Sequence, residues 1–209
     1  MRRINGIAYM PSIIINGIDQ DLTTHAADLD AHMSDIFQEL HIGSYYPSLY
    51  STLEFNSAIA ITADLLYATP FPIVRPMTAD RIMLVINVAG AAGKKGRLGI
   101  YSNLVNTVYP DALLLDAGEI AVDVTDASAI TISKALLRGR NWLVFISDGT
   151  PTIRACSYYL PVIPPLYVGA RAGSWTKAQA YGALPATFPA AGNKNDYMWG
   201  MALRFSSLD

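Results

Sequence analysis

The stretch Asn141-Trp142-Leu143-Val144-Phe145-Ile146-Ser147 decides the reading of the fold. Side chains alternate across an extended chain, so Trp142, Val144 and Ile146 share one face and Leu143 and Phe145 take the other. Both faces are apolar. A strand of that kind lies at the centre of a layered structure or is buried by a partner. Asp148-Gly149 closes it with a turn signal.

The same pattern repeats outward in both directions. In 81–89, Ile82, Leu84, Ile86 and Val88 fall on one face; in 197–206, Tyr197, Trp199, Met201, Leu203 and Phe205 do. Further candidate strands are 52–61, 65–74, 97–102, 112–116, 118–125, 128–133 and 152–159. Turn residues separate them: Gly90-Ala-Ala-Gly-Lys-Lys-Gly96 is expected to be a mobile connector, and Asp116-Ala-Gly118 a tight turn. Strands every 8–15 residues or so, with no helical period between them, predict an antiparallel β-sandwich or barrel over 50–209.

Residues 1–21 read as an arm of short extended pieces, with Asn5-Gly6 and Asn16-Gly17 as hairpin signals. Residues 22–43 carry the one helical pattern. Thr23 or Thr24 can cap it, Asp28 and Asp30 suit its positive end, and Gly43 can close it. Its apolar positions Leu22, Ala26, Leu29, Met33, Ile36 and Leu40 are spaced as an a/d stripe, widened by Phe37. Two readings stay open: an amphipathic helix lying on its own domain, or a short parallel bundle, a trimer, holding identical chains together. Tyr45, Tyr46 and Pro47 are expected to start a linker.

The chain has 209 residues, 52% hydrophobic and 15% charged, with a formal net charge of −2. Soluble domains carry roughly 25% charged residues. This composition excludes a disordered chain and a strongly basic nucleic-acid binder. One cysteine, Cys156, excludes an internal disulfide framework and a Cys-based zinc site. Pro11, Asn16 and Gly17 interrupt any signal core after Arg2 and Arg3, and no run of about 18 apolar residues predicts a membrane span. Between Ile4 and Val74 there is no Lys or Arg, while eight acids fall there. That asymmetry is either solvated surface or an acidic part that docks on a basic partner or on a neighbouring copy.

No catalytic constellation emerges. His25, His32 and His41 all sit in or after the helical pattern, and seven-residue spacing is not the four-residue spacing of helical zinc motifs. There is no G-x-S-x-G elbow, and the lysines of 90–96 lack a following Ser or Thr for a phosphate loop. Glu54 and Glu119 are the only glutamates of the β region, too few to suggest a paired-carboxylate hydrolase. The expectation is no catalytic residue, no metal and no cofactor.

Residues 160–196 combine Pro161, Pro164, Pro165, Pro185 and Pro189 with Gly169, Gly173, Gly182 and Gly192. They read as a long loop that is functional or ordered by a partner. Tyr158, Tyr159, Tyr167, Trp175 and Tyr181 cluster in or near it. These aromatics plug the ends of the sandwich, contact a subunit or stack on a glycan.

Five segments carry a resemblance: Asp80-Arg-Ile82, Gly96-Arg-Leu-Gly-Ile-Tyr-Ser102, Pro110-Asp-Ala-Leu-Leu-Leu-Asp-Ala-Gly-Glu119, Ile130-Thr-Ile-Ser133 and Asn141-Trp-Leu-Val144. Together they resemble a jelly-roll-like β-sandwich module of tailed-bacteriophage structural proteins, of the tail-fibre, baseplate or head-appendage type. His25-Ala-Ala-Asp-Leu-Asp-Ala-His-Met33 and Gly43-Ser-Tyr-Tyr-Pro47 are similar to segments that precede that module. The resemblance spans roughly 24–156 and brings no catalytic residues with it. It implies a virion location, other virion proteins as partners, and assembly as a homotrimer through the arm and helix. Recognition of host surface glycan is the alternative role.

Overall fold

The computed structural model describes residues 3–4, 7–8, 13–15, 18–20, 40–47, 57–156 and 173–208. They belong to two compact units, 1–39 and 40–209.

In the first unit, β1 (Arg3–Ile4) pairs antiparallel with β2 (Ile7–Ala8), and β3 (Ile13–Ile15) with β4 (Ile18–Gln20). Each pair flanks one of the Asn-Gly steps, as a two-residue hairpin requires. The expected helix at 22–43 lies, up to residue 39, outside the described residues. Residues 40–43 are not helical: 42 and 43 form a turn, with Gly43 at φ +83°. No helix occurs among the described residues, and therefore none there that is long and apolar enough to cross a membrane.

The second unit is all strand and connection. Its strands are β5 (Tyr45–Pro47), β6 (Ser57–Ala60), β7 (Leu65–Ile73), β8 (Met77–Val88), β9 (Lys95–Asn103) and β10 (Pro110–Ala121). There follow β11 (Asp126–Leu136), β12 (Gly139–Ser147), β13 (Thr152–Cys156), β14 (Ser174–Ala178), β15 (Asn193–Asn195), β16 (Met198–Trp199) and β17 (Met201–Leu208). They form two antiparallel sheets. One runs β10-β9-β12-β7-β14-β15. The other runs β16-β13-β8-β17-β5, with β11 also on β8 and β6 also on β13.

The strand Asn141–Ser147, inside β12, sits between β9 and β7 in its sheet. Leu143 and Phe145 enter a core shared by both sheets, with Tyr67, Phe71, Leu98 and Ile100 of their own sheet and Ile82, Leu84, Leu203 and Phe205 of the other. Tyr67 meets Trp199 edge-on with ring centroids 4.6 Å apart. Each such side chain stabilises the fold by about 1.5–3 kcal/mol on full burial. Trp142, Val144 and Ile146 are equally buried on the opposite face, in a second cluster. Both apolar faces of this strand are therefore covered within the described chain.

Four expectations are corrected. Tyr45–Pro47 is not a linker but a strand on β17, and its Tyr46 is buried in the core. Residues 112–116 and 118–125 are not two strands joined by a tight turn. One strand, β10, continues through them, and the extra residue is absorbed as a register shift between Asp116 and Gly118. Gly118 takes φ +100° there, a conformation only glycine adopts without strain. Lys95 and Gly96 belong to β9, and the connector before them is tied down: Gly93 N–H donates to Asp123 Oδ2 (2.8 Å) and Lys95 N–H to Asp148 Oδ1 (2.7 Å). Finally, 160–196 is not one long loop. Ser174–Ala178 extends the six-stranded sheet beside β7, and Asn193–Asn195 follows as its edge.

Candidate binding surface

The outer face of the six-stranded sheet carries Trp175 and Tyr181, the aromatic candidates that fall among the described residues. Leu66 and Ala68 of β7, Tyr101 of β9 and Trp142, Val144 and Ile146 of β12 form an apolar floor. Residues 181–192 cross it as a strap, and Leu184 and Phe188 press into the floor. Proline at 185 and 189 suits the strap, which accepts few ladder hydrogen bonds. Side-chain hydroxyls fix it instead. Tyr101 O–H donates to the Pro185 carbonyl (2.7 Å) and Tyr109 O–H to the Pro189 carbonyl (2.7 Å). The Tyr109 oxygen also accepts from Gly192 N–H (2.8 Å). Backbone bonds Leu113 N–H to Ala186 O (2.9 Å) and Phe188 N–H to Asp111 O (2.8 Å) seal the strap to β10.

Two of the five aromatic candidates lie here. Trp175, on β14, is half-buried; its indole N–H donates to the Val108 carbonyl (2.7 Å), and its ring meets Tyr109 edge-on at 4.9 Å. The Lys194 ammonium lies 5.8 Å from the Trp175 ring centroid, within cation–π reach. Tyr181, at the start of the strap, donates its O–H to Glu119 Oε1 (3.0 Å), and its N–H goes to Asp64 Oδ1 (2.8 Å). Burial first, and then the hydrogen bond to Glu119, push the Tyr181 hydroxyl up to about 12. Tyr158, Tyr159 and Tyr167 lie outside the described residues.

Glu119 and its neighbours form an ionic clasp beside the strap. Arg97 donates to both carboxylate oxygens of Asp116 (2.9 and 2.8 Å) and lies 3.6 Å from Glu119. Lys95 reaches Glu119 at 2.9 Å. Asp116 Oδ2 also accepts the strap's Leu184 N–H (3.2 Å). The hydrogen bond from Lys95, and then that from Tyr181, hold the Glu119 carboxyl below its ordinary range. A general acid needs the opposite shift, upward, to hold a proton near neutrality. Both carboxylates anchor the strap, Asp116 through Leu184 N–H and Glu119 through the Tyr181 hydroxyl.

The other candidates are quickly placed. Leu22, Ala26, Leu29, Met33 and Ile36 lie outside the described residues. Leu40 is half-buried and packs against the core of its own unit. Cys156 is buried as a free thiol. Among the described residues no group of three or more His, Cys, Asp or Glu side chains is placed to hold a metal ion.

Sequence reading missed Tyr101, Tyr109, Leu184, Phe188 and the Arg97–Asp116 pair. The strap's hydrogen bonds to β9 and β10 join residues 62 and more apart, and neither spacing nor composition signals them. The clasp had one visible sign: Asp116 and Glu119 are the charges that interrupt the apolar run 112–121.

No protein-family model matches the chain, and no curated protein does. A solved structure does: that of the cysteine protease and lectin-like domains of Cwp84, a surface layer associated protein of Clostridium difficile. The superposition has a TM-score of 0.50 at 14% identity, and covers 78% of this chain and 35% of that one. The chain thus spans about a third of the length of that neighbour, and what the two share is a fold.

Proposed function

We propose that the chain is a non-enzymatic structural component of a tailed-phage particle. In this reading its 50–209 part is a jelly-roll-like β-sandwich, of tail-fibre, baseplate or capsid-decoration type. Identical copies associate, as a homotrimer, through the N-terminal arm and the 22–40 stripe. The observation that carries the non-enzymatic part is the clasp. The carboxylates that come together, Asp116 and Glu119, are both bound by Arg97 and both tied to the strap. What supports the virion part is the resemblance of 24–156 to phage modules. The test is the position of the chain in a density map of an intact particle. A symmetric appendage into which the two sheets fit is expected; particles without this chain contradict the reading.

A glycan-binding role is the second reading, and one observation favours it. Trp175 is a half-exposed indole with a lysine nearby, the kind of platform on which a sugar ring stacks. The structural neighbour's lectin-like domain gives it a fold precedent in a surface protein. Glycan-array binding that is lost in Trp175→Ala supports it, and binding that survives the change counts against it.

A further inference from the structure

The exposed large apolar side chains of the 40–209 unit gather mainly at its two ends. At one end are the connections 104–109, between β9 and β10, and 137–138, between β11 and β12. Val105 and Leu137 are each 77% exposed there and Leu104 40%. The ladders make these neighbours. Ser102 pairs with Asn141, so the chain leaving β9 toward Leu104 and the chain entering β12 from Leu137 lie at the same end of the sheet. Arg140 follows Gly139, and Arg75 lies two residues beyond Ile73, the partner of Gly139. The 104–107 tip is built rigid: Asn103 Nδ2 donates to the carbonyls of Leu104 (2.7 Å) and Thr107 (2.8 Å), and Trp142 Nε1 holds Asn103 Oδ1 (3.0 Å).

At the opposite end the signs reverse. Val88 is 56% exposed and Val124 47%. Asp126 pairs with Ile86, and Gly90 N–H reaches the Val122 carbonyl at 2.8 Å, so Val88 and Val124 face one another across the same ladder. Asp64, Asp123 and Asp148 lie in the connections of this end and Asp126 opens β11, with the cations Lys94, 3.6 Å from Asp148, and Lys95, whose Nζ is bound to Glu119 at 2.9 Å. Asp123 and Asp148 are fixed by the backbone N–H groups of Gly93 and Lys95.

We infer that the two ends bind each other between copies: the aliphatic, arginine-bearing end of one chain seats on the valine pair and aspartates of the next. Both terms match. Apolar tips meet apolar tips, and a basic rim meets an acidic one, which sets the direction of docking. Such a contact is head-to-tail, and it propagates as a ring or a row instead of closing as a two-fold dimer. Preformed tips lose little freedom on docking. The contact is small and therefore weak singly; repetition along an assembly multiplies it. It deepens the assembly reading, but uses surfaces other than the 22–40 stripe.

The test uses the full chain in sedimentation velocity over a concentration series, at low and high salt. One variant carries Val105→Asp and Leu137→Asp, the other Val88→Asp and Val124→Asp. Wild type is expected to gain mass with concentration, less so in high salt. Each variant alone is expected to lose association at least about tenfold and to remain at a base species. Mixing the two is expected to restore association, since one keeps the aspartate end and the other the arginine end. A variant that associates alone as wild type does, a mixture that gains no mass, or a wild type that stays at the base species each overturns the proposal. If a double variant does not fold, Val105→Ser and Val88→Ser replace them. The base species reports the N-terminal stripe separately, so failure of one association is distinguishable from failure of the other.

Discussion

Gly99 has no room for a side chain. A Cβ there would stand 2.2 Å from Leu184 Cδ1 and 2.7 Å from the Leu115 carbonyl oxygen. The strap touches the sheet at this point, and the near oxygen is backbone, which cannot swing away. Gly99→Ala is expected to destabilise the fold by about 1–3 kcal/mol, read as a lower urea midpoint at unchanged slope. Tyr109 serves two strap atoms with one hydroxyl, the Pro189 carbonyl and the Gly192 N–H. Tyr109→Phe leaves both without their partner, and thermal unfolding is expected to show a loss of about 1–3 kcal/mol. Glu119 and Asp80 contribute to the acid limb. The hydrogen bonds from Lys95 and from Arg204 hold their carboxyls below the ordinary range in the folded state. A carboxyl of lowered pKa stabilises the fold above its unfolded value of about 4, and that gain is lost as pH falls through the folded value. The melting temperature is therefore expected to fall below about pH 4, and to fall less steeply in Glu119→Gln. An equal slope in the variant would show that this pair contributes nothing.

Strands with two apolar faces were legible before any coordinate. The alternation in 141–147 places each side chain on the face it occupies, and that in 197–206 aligns Trp199, Met201, Leu203 and Phe205 on the core face. Boundaries at bulges were not legible. Gly118 reads as a turn residue because a bulge glycine and a turn glycine satisfy the same positive φ. The strap was not legible either, because Pro185 and Pro189 suppress any period and its partners lie far off in sequence. It is nevertheless the element that covers the outer face, with Leu184 5% and Phe188 3% exposed. Leu184→Ala is expected to cost about 2–5 kcal/mol and to raise amide exchange across 181–192 ahead of the shared core. Uniform exchange through both clusters would show instead that strap and core open as one.

At the scale of the chain, the shortage of charge has a plainer cause than burial against partners alone. The unit 40–209 holds two apolar clusters, one between its sheets and one beneath the strap, and together they absorb much of the 52% hydrophobic content. The described part of the segment expected to be a functional or partner-ordered loop, 173–196, closes on its own sheet. Among the described residues, what is left exposed and apolar lies mainly at the two ends, on which the proposed head-to-tail contact is built. A charge map also separates the units: residues 1–39 carry six acids and two basic residues, residues 40–209 eleven and thirteen. Association that depends on these features is expected to weaken with salt. The most direct measurement is the mass of the full chain in solution by light scattering, beside the same chain carrying Leu29→Asp and Met33→Asp. The account predicts a wild-type mass of three times 22.6 kDa or a larger multiple, reduced in the substituted chain. A wild type that stays at 22.6 kDa across the concentration range contradicts it.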